Sequence, residues 1–429
     1  MNRMIIPNSK LFMHLSDIHF SKESGIATDH YKDIRSQVVN SANQFVQGGR
    51  KIDGILISGD IAYSGKYEEY DRAKSWLKEL AASVGLLPEQ VWCVPGNHDV
   101  DRSIINQSIF LKNMHSDLRS TPIDEIDKKI FSYMIDGSGS EILYHPLREF
   151  NKFAASFGCN ITPTEPYWKT TLPVGNGCNI SIYGLNSTII SDHMDDISKE
   201  LILGSYQKPS QLTNHINVVL CHHPPSWWKD RETVESIIHE RSTLELYGHK
   251  HKFSSVVIRD SLQLVAGAVQ PEKINKEWNP CYNFIEIGTS QDMIKKVHLV
   301  ITIMDWDAHT GIFKPLVDAN TGDQYFKHEF DLDPIGFPIS ETVSPQPVPS
   351  TEIQTPTAKE EYMNNSRALA YNFFELPHVK RMDIARKLEL ITDQDEGLYD
   401  WDLYKRIIQR AVDKGLINKL LQEVTSNTK

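Results

Sequence analysis

The sequence predicts an α/β layered body over residues 1–330, joined by a linker at 331–358 to a small α-helical bundle at 359–429. Three observations carry this reading. Short apolar runs alternate with segments of helical period up to Ile303. Prolines at 334, 338, 345, 347, 349 and 356, set among Ser, Thr and Gln, then mark a semi-extended connection. Beyond it, apolar residues recur at i, i+3, i+4 and i+7. A chain of 429 residues is also longer than one hydrophobic core usually organises.

The elements follow in order. Leu11–Leu15, Gly54–Ser58, Val91–Val94, Ile216–Cys221 and Leu244–Tyr247 are short apolar runs that read as buried strands. Between the first of them, Ile34, Val38, Ala42, Phe45 and Val46 share one helical face. Tyr70, Ala73, Trp76, Leu77, Leu80 and Val84 share another, and Gly85 ends that helix. Residues 103–165 break the rhythm with a mostly helical insertion, which either roofs a site or is a surface excursion. Leu262–Val265, Tyr282–Ile287 and Val297–Ile303 read as further strands, assigned to a second sheet. In the bundle, Trp401, Tyr404, Ile407, Ile408, Ala411 and Val412 lie on one helical face that Gly415 terminates. Leu416, Ile417, Leu420 and Leu421 open a last helix.

Composition narrows the function classes. The chain is 40% apolar and 24% charged, ordinary for a soluble globular protein. No uncharged run reaches membrane-spanning length, and Met1 to Lys10 lack the apolar core of a secretory signal. Five cysteines (Cys93, Cys159, Cys178, Cys221, Cys281), an odd number without Cys-x-x-Cys spacing, indicate reduced thiols in a cytoplasm. Residues 358–429 carry equal numbers of basic and acidic side chains, so the formal charge of −11 belongs to residues 1–357. An acidic body argues against non-specific coating of DNA but leaves room for a nucleotide or nucleic acid held locally. Bound divalent cations would offset acidic charge at the mouth of a site.

Five short motifs each follow an apolar run. They are Ser16-Asp17-Ile18-His19, Ser58-Gly59-Asp60, Pro95-Gly96-Asn97-His98-Asp99, Cys221-His222-His223-Pro224-Pro225 and Tyr247-Gly248-His249-Lys250-His251. Residues just past the carboxyl ends of neighbouring strands can converge in one crevice, and the glycines and prolines suit sharp exits from a strand. Two carboxylates, one amide oxygen and four imidazoles form a hard-to-borderline donor set that suits Mn, Fe, Zn or Co. Seven donors exceed one tetrahedral site but fit two ions sharing a carboxylate. Two ions about 3.5–4 Å apart can clamp attacking and leaving oxygens and lower the pKa of a bound water, supplying hydroxide. The remaining residues read more blandly. His14 and Cys221 sit in apolar runs and read as core. His223 either contacts substrate or makes a structural hydrogen bond. Packing is the commoner role for Trp227 and Trp228, against stacking on a base.

The five motifs together, in order, resemble the calcineurin-like metallophosphoesterases over residues 10–305. The resemblance implies a metallophosphoesterase-type two-sheet β-sandwich flanked by helices. It assigns one divalent ion to Asp17, His19 and His251, the other to Asn97, His222 and His249, and the bridge to Asp60, with manganese favoured. His98 would protonate the leaving oxygen, with Asp99 as its orienting partner. The second motif continues Ile61-Ala62-Tyr63-Ser64-Gly65 and the third ends in Asp99, unlike the Val-Asp-Arg-Gly extension and terminal Glu of the Ser/Thr protein phosphatases. Tyr63 has the spacing of the iron-bound tyrosine of purple acid phosphatases, but His19 stands where those enzymes usually lack a histidine, so Tyr63 reads as a packing residue or as one behind the ligands. The text looks most like bacterial phosphodiesterase-type members, implying hydrolysis of a nucleotide or nucleic-acid diester. A phosphomonoesterase or protein phosphatase is the rival reading. Met382–Val424 is similar to death-like, effector-associated adaptor domains of bacterial conflict systems. That likeness implies a protein partner, and a defence effector in which docking rather than turnover could dominate.

Overall fold

The computed structural model describes residues 6, 8–25, 29–175, 177–270, 279–290, 296–332, 369, 372–373, 376–392, 395 and 400–427. Nearly all of the linker expected at 331–358 lies outside them. The chain divides into two compact units, one of Met1–Ala154 with Cys159–Leu332, the other of Asp333–Lys429 with Ala155–Gly158.

The first unit is built on two mixed sheets. In one, β1 (Ser9–Leu15), β2 (Gly54–Ile57) and β3 (Val91–Cys93) run parallel, with Phe12 opposite Gly54 and Ile55 opposite Val91. The β1–β2 crossover is α1 (Lys32–Gln47) and the β2–β3 crossover contains α2 (Tyr67–Ser83). Ile55, Leu56 and Ile57 are wholly buried, each contributing about 1.5–3 kcal/mol by leaving water. The apolar face expected on α2 is the face it buries: Tyr70, Ala73, Trp76, Leu77 and Leu80. The Glu69 carboxylate closes its first turn by accepting from the Lys66 and Ser64 backbone N–H groups, and Gly85, at φ +72°, ends it in the left-handed region.

The insertion comprises α3 (Arg102–Gln107), α4 (Ile109–Ser120), α5 (Ile126–Ile135), α6 (Gly137–Tyr144) and α7 (Arg148–Ala155). Charged and polar contacts fasten it to the body. Arg119 donates to Asp192 at 2.8 Å and to the Ile190 carbonyl at 2.7 Å, His115 lies 3.1 Å from Asp192, and the Ser205 N–H donates to Asp127 at 2.9 Å.

The second sheet has the order β4 (Trp168–Gly175), β5 (Cys178–Gly184), β6 (His215–Leu220), β7 (Leu244–Tyr247), β9 (Ser261–Val265), β8 (Ser254–Ile258). Its four inner strands are parallel and β4 and β8 are antiparallel edges. Short α8 (Asp195–Ser198) follows β5, and α9 (Arg231–Arg241) connects β6 to β7.

The assignment of the later runs to a second sheet holds for β9 but not for the two that follow it. β10 (Cys281–Thr289) pairs antiparallel with β1, placing Met13 opposite Phe284, and β11 (Lys296–Asp307) pairs with β10. Both therefore extend the first sheet, because β1 keeps one edge open after pairing with β2. β12 (Ile312–Pro315) and β13 (Phe326–Asp331) both pair with β11. The result is the two-sheet architecture of the metallophosphoesterase fold, flanked by helices.

In the second unit, α10 (His378–Lys387), α11 (Asp400–Asp413) and α12 (Ile417–Asn427) enclose a core that includes Leu369, Phe373, Ala385, Tyr404, Ile407, Ala411, Leu420 and Val424. Gly415, at φ +66°, makes the turn between the last two helices. Among the described residues no helix is long and apolar enough to cross a membrane. All five cysteines are buried and none forms a disulfide.

Candidate metal centre

All five motifs leave the carboxyl ends of parallel strands: three follow β1, β2 and β3 of one sheet, and two follow β6 and β7 of the other. Parallel alignment points these exits the same way, so loops far apart in the chain meet in one place. Asp17, His19, Asp60 and His251 converge, and so do His222, His223 and His249, the donor atoms of each set lying within 4.8 Å of one another.

Asp17 and Asp60 each divide their oxygens between framework and site. Asp17 Oδ2 accepts from the Ser16 hydroxyl at 2.5 Å and from the His249 N–H at 3.2 Å. Its Oδ1 lies 3.1 Å from His251 Nε2 and 4.0 Å from His19 Nε2. Asp60 Oδ1 accepts from the His98 backbone N–H at 2.8 Å, and its Oδ2 lies 3.3 Å from His222 Nε2 and 3.9 Å from His19 Nε2. Asp17 Oδ1, Asp60 Oδ2 and both ring nitrogens of His19 are buried without a well-directed hydrogen bond. Such groups are costly to bury unless something else engages their lone pairs.

The second set closes around Asn97. Its Oδ1 lies 3.1 Å from His222 Nε2, 3.2 Å from His223 Nε2 and 3.0 Å from His249 Nδ1. Three imidazole nitrogens facing one amide oxygen exceed what its two lone pairs satisfy, whereas all four atoms can face a cation. The His222 ring is held from behind by the Ser58 carbonyl, 2.7 Å from Nδ1.

Electrostatics agree with ionised carboxylates and with neutral rings at His19 and His249, while the carboxylates draw protons onto His222 and His251. Burial pushes the pKa values of His19 and His249 down to about 3, keeping both rings in the form that ligates a metal. Burial alone would raise Asp17 and Asp60, but His251 beside Asp17 and His222 beside Asp60 outweigh it and hold both carboxyls below the usual range. Burial would lower His222; the Asp60 charge raises it to about 9.

The backbone pays for this convergence. Asp17, His19, Asp60, His249 and His251 all have φ between +51° and +69°, left-handed conformations that cost a non-glycine residue roughly 1–2 kcal/mol. Strain of this kind gathers where a site over-determines geometry. Close approach adds a second demand. A Cβ on Gly96 would sit 2.1 Å from Asp60 Oδ1, and one on Gly248 would sit 2.1 Å from Ser16 Oγ, so both motifs require glycine there.

His98 stands beside His19, ring centroids 4.7 Å apart at 85°. Its Nδ1 lies 2.8 Å from the Tyr63 carbonyl, which can only accept, so Nδ1 carries hydrogen and any proton exchanged with substrate travels on Nε2. The backbone of Tyr63 thus orients the ring, a role the sequence reading gave to Asp99. The Asp99 oxygens accept from the backbone N–H groups of Ile61, Ala62 and Gly96 and from the Tyr70 hydroxyl. Burial and the Asp60 charge raise its pKa to about 6 against those bonds. Asp99 ties the second motif to the third.

Five residues read loosely from sequence gain definite places. His223, left between substrate contact and structural bond, has the structural bond, with the Ser187 hydroxyl 2.8 Å from Nδ1, and its Nε2 joins His222 and His249 in facing Asn97. Trp228 is core, only 4% exposed, whereas Trp227 is partly exposed with its ring centroid 4.0 Å from that of His249. Of the two places read for Tyr63, packing does not fit a side chain 47% exposed, and its ring stands next to the candidate ligands instead, 6.1 Å from His19 and 5.3 Å from His98. His14 is a core residue, bonded to Ser58 Oγ at 3.0 Å.

Comparison with known proteins fits this geometry. A family model described as calcineurin-like phosphoesterase matches residues 10–253, more than half the chain, and one described as GTPase-associated adaptor domain matches residues 365–426. The metallophosphoesterase-like protein YydB of Bacillus subtilis is 29% identical over 129 residues, covering 29% of this chain and 25% of that protein. The chain therefore matches about a quarter of the length of this curated relative. Among solved structures, a predicted phosphoesterase from Streptococcus pneumoniae is 12% identical with a TM-score of 0.29, over 77% of this chain and 99% of that one. A purple acid phosphatase from yellow lupin is 12% identical with a TM-score of 0.38, over 76% of this chain and 55% of that one.

Proposed function

The chain belongs to the calcineurin-like phosphoesterase family, and from that premise we propose that it hydrolyses phosphodiesters of a nucleotide or nucleic acid at a site for two divalent cations, manganese favoured. The observation that carries the proposal is the pair of converging donor sets, with Asp60 Oδ2 between them at 3.9 Å from His19 and 3.3 Å from His222, and with buried atoms on Asp17, Asp60 and His19 that lack a well-directed hydrogen bond. Asp17, His19 and His251 would hold one ion, Asn97, His222 and His249 the other, and Asp60 would touch both. When bound, such ions polarise phosphoryl oxygens and bring a water's pKa toward neutrality.

The remaining chemistry belongs to side chains. His98, fixed through Nδ1 by the Tyr63 carbonyl, delivers a proton from Nε2 to the departing oxygen. Asp99 holds the Asn97–His98 turn against Ile61 and Ala62, so donor and acid keep one spacing. The preference for diesters is supported by the Ile61-Ala62-Tyr63 continuation of the second motif and the Asp99 ending of the third, the features that set this chain apart from protein phosphatases. The adaptor-domain match at residues 365–426 favours a second layer: the helical unit docks a protein partner and brings the esterase to its target, as an effector in bacterial defence would require.

A side-by-side assay with manganese-loaded protein tests the reading. Bis(p-nitrophenyl) phosphate is expected to give a kcat/KM at least roughly tenfold above that of p-nitrophenyl phosphate, a difference of about 1.4 kcal/mol in transition-state binding. A monoester preference together with turnover of a phosphoprotein would instead establish a protein phosphatase.

A further inference from the structure

We propose that the site reads the two organic groups of its diester by stacking, with Tyr63 serving one side of the phosphorus and Trp227 the other, so that the preferred substrate is unpaired nucleic acid or a dinucleotide. The inference rests on the diester reading above. Its basis is where the two aromatic rings stand. Tyr63 borders the Asp17, His19, Asp60, His251 set: its ring lies 5.3 Å from His98 and 6.1 Å from His19. Trp227 borders the other set: its ring lies 4.0 Å from His249 and 5.9 Å from His223. Asp60 links the two sets, its Oδ2 3.9 Å from His19 and 3.3 Å from His222. A phosphate engaged at Asp60 therefore has one partly exposed aromatic side chain beside each set.

Tyr63 is not spent on the core, and Trp227 packs against the core around Tyr183, Trp228 and Tyr247 while keeping part of its surface open. Tyr63 is 47% exposed and Trp227 is partly exposed, while the neighbouring Trp228 is buried against Tyr247. Both rings are nevertheless positioned. The Tyr63 carbonyl is fixed on His98, and the Trp227 carbonyl accepts from the Leu201 N–H at 3.0 Å. The Lys229 ammonium, two residues on, donates to the Thr121 carbonyl of the insertion at 2.8 Å. The Lys199 ammonium lies over the Trp227 ring, 5.3 Å from its centroid. A base stacking on that face takes the place of the ammonium, which its flexible stem can swing to the phosphate, so that the ring meets the base and the charge meets the phosphate. Bases within a duplex are stacked on one another and do not offer that face. A group without a flat face, such as glycerol or ethanolamine, gains nothing from either ring.

The test uses the full chain loaded with manganese and two diesters: a thymidine dinucleoside monophosphate and glycerophosphoethanolamine. The readout is the ratio of their kcat/KM values. Tyr63→Ala and Trp227→Ala are each expected to lower that ratio roughly tenfold or more, the range for losing one base–aromatic stack. Tyr63→Phe and Trp227→Phe, which keep a ring, are expected to retain most of it. An unchanged ratio in both alanine variants overturns the proposal, because the rings then serve structure alone. A wild-type protein that cleaves the glycerol diester and ignores the dinucleotide overturns it as well and leaves the phosphodiesterase reading standing. If neither diester is cleaved while a monoester is, the phosphodiesterase reading itself fails.

Discussion

Replacing Asp60 with alanine is expected to abolish hydrolysis, lowering kcat/KM by roughly a thousandfold or more, because several kcal/mol of charge stabilisation go with the shared carboxylate. Asp60 stands between the two sets: one oxygen reaches toward His19 and His222, and the other accepts from the His98 backbone. Its loss would free the turn that carries the proton donor and leave His222 without the charge that raises its pKa. Asp60→Asn separates these effects. It keeps an oxygen for the His98 N–H but removes the negative charge, so a similar loss in both variants assigns the effect to charge. Metal content measured on the purified proteins should fall from two equivalents toward one or none in either variant. A fully active Asp60→Ala protein would contradict the scheme.

The second large effect is expected at His98. His98→Ala should slow turnover by roughly a hundredfold or more, the range for losing one acid–base group, while metal content stays at the wild-type level. The hydrogen bond to Asp60 comes from the His98 backbone, so alanine preserves it. The leaving group supplies a further discriminant. A p-nitrophenolate departs with little help from a proton, whereas an alkoxide needs one. The loss on His98→Ala should therefore be greater for an alkyl diester than for a p-nitrophenyl diester. Equal losses on both would remove His98 from the acid role and point to a part in binding.

Much of this site was legible in the sequence because its chemistry is carried by residue types that strand ends rarely collect. Asp17, His19, Asp60, Asn97, His222, His249 and His251 stand directly after apolar runs, and those runs are the strands β1, β2, β3, β6 and β7. The helices α1 and α2 were legible for the same reason, since one buried face repeats at helical period. The edge strands were not. β4 alternates buried and exposed positions with Pro173 at an irregularity of register, so it shows no apolar run, and β8 offers only the short, largely exposed Val256-Val257-Ile258. Nor can a run of apolar residues say which sheet it joins. β10 lies on the open edge of β1, a choice made by pairing over more than 260 residues of chain.

Roles set by the backbone were equally silent. That Tyr63 holds His98 through a carbonyl, while Asp99 is taken up by N–H groups of the preceding motif, follows from chain path and not from side-chain identity. The left-handed conformations of five candidate ligands belong to the same class. Asp tolerates that region better than most residues, and a glycine beside it draws the eye first, yet here the strain falls on the ligands themselves. His223 was ambiguous because adjacent residues on a strand exit need not face the same way. The Ser187 hydroxyl, 2.8 Å from Nδ1, holds its ring beside that of His222, centroids 4.6 Å apart.

The central claim is that one pocket gathers two cations on side chains drawn from both sheets. Anomalous scattering from a crystal of the full chain grown with manganese measures this most directly. Two peaks are expected, one bounded by Asp17, His19 and His251 and the other by Asn97, His222 and His249, with an Asp60 oxygen in contact with each. No peak at this pocket, or manganese held by side chains elsewhere with Asp60 turned away, would contradict the account.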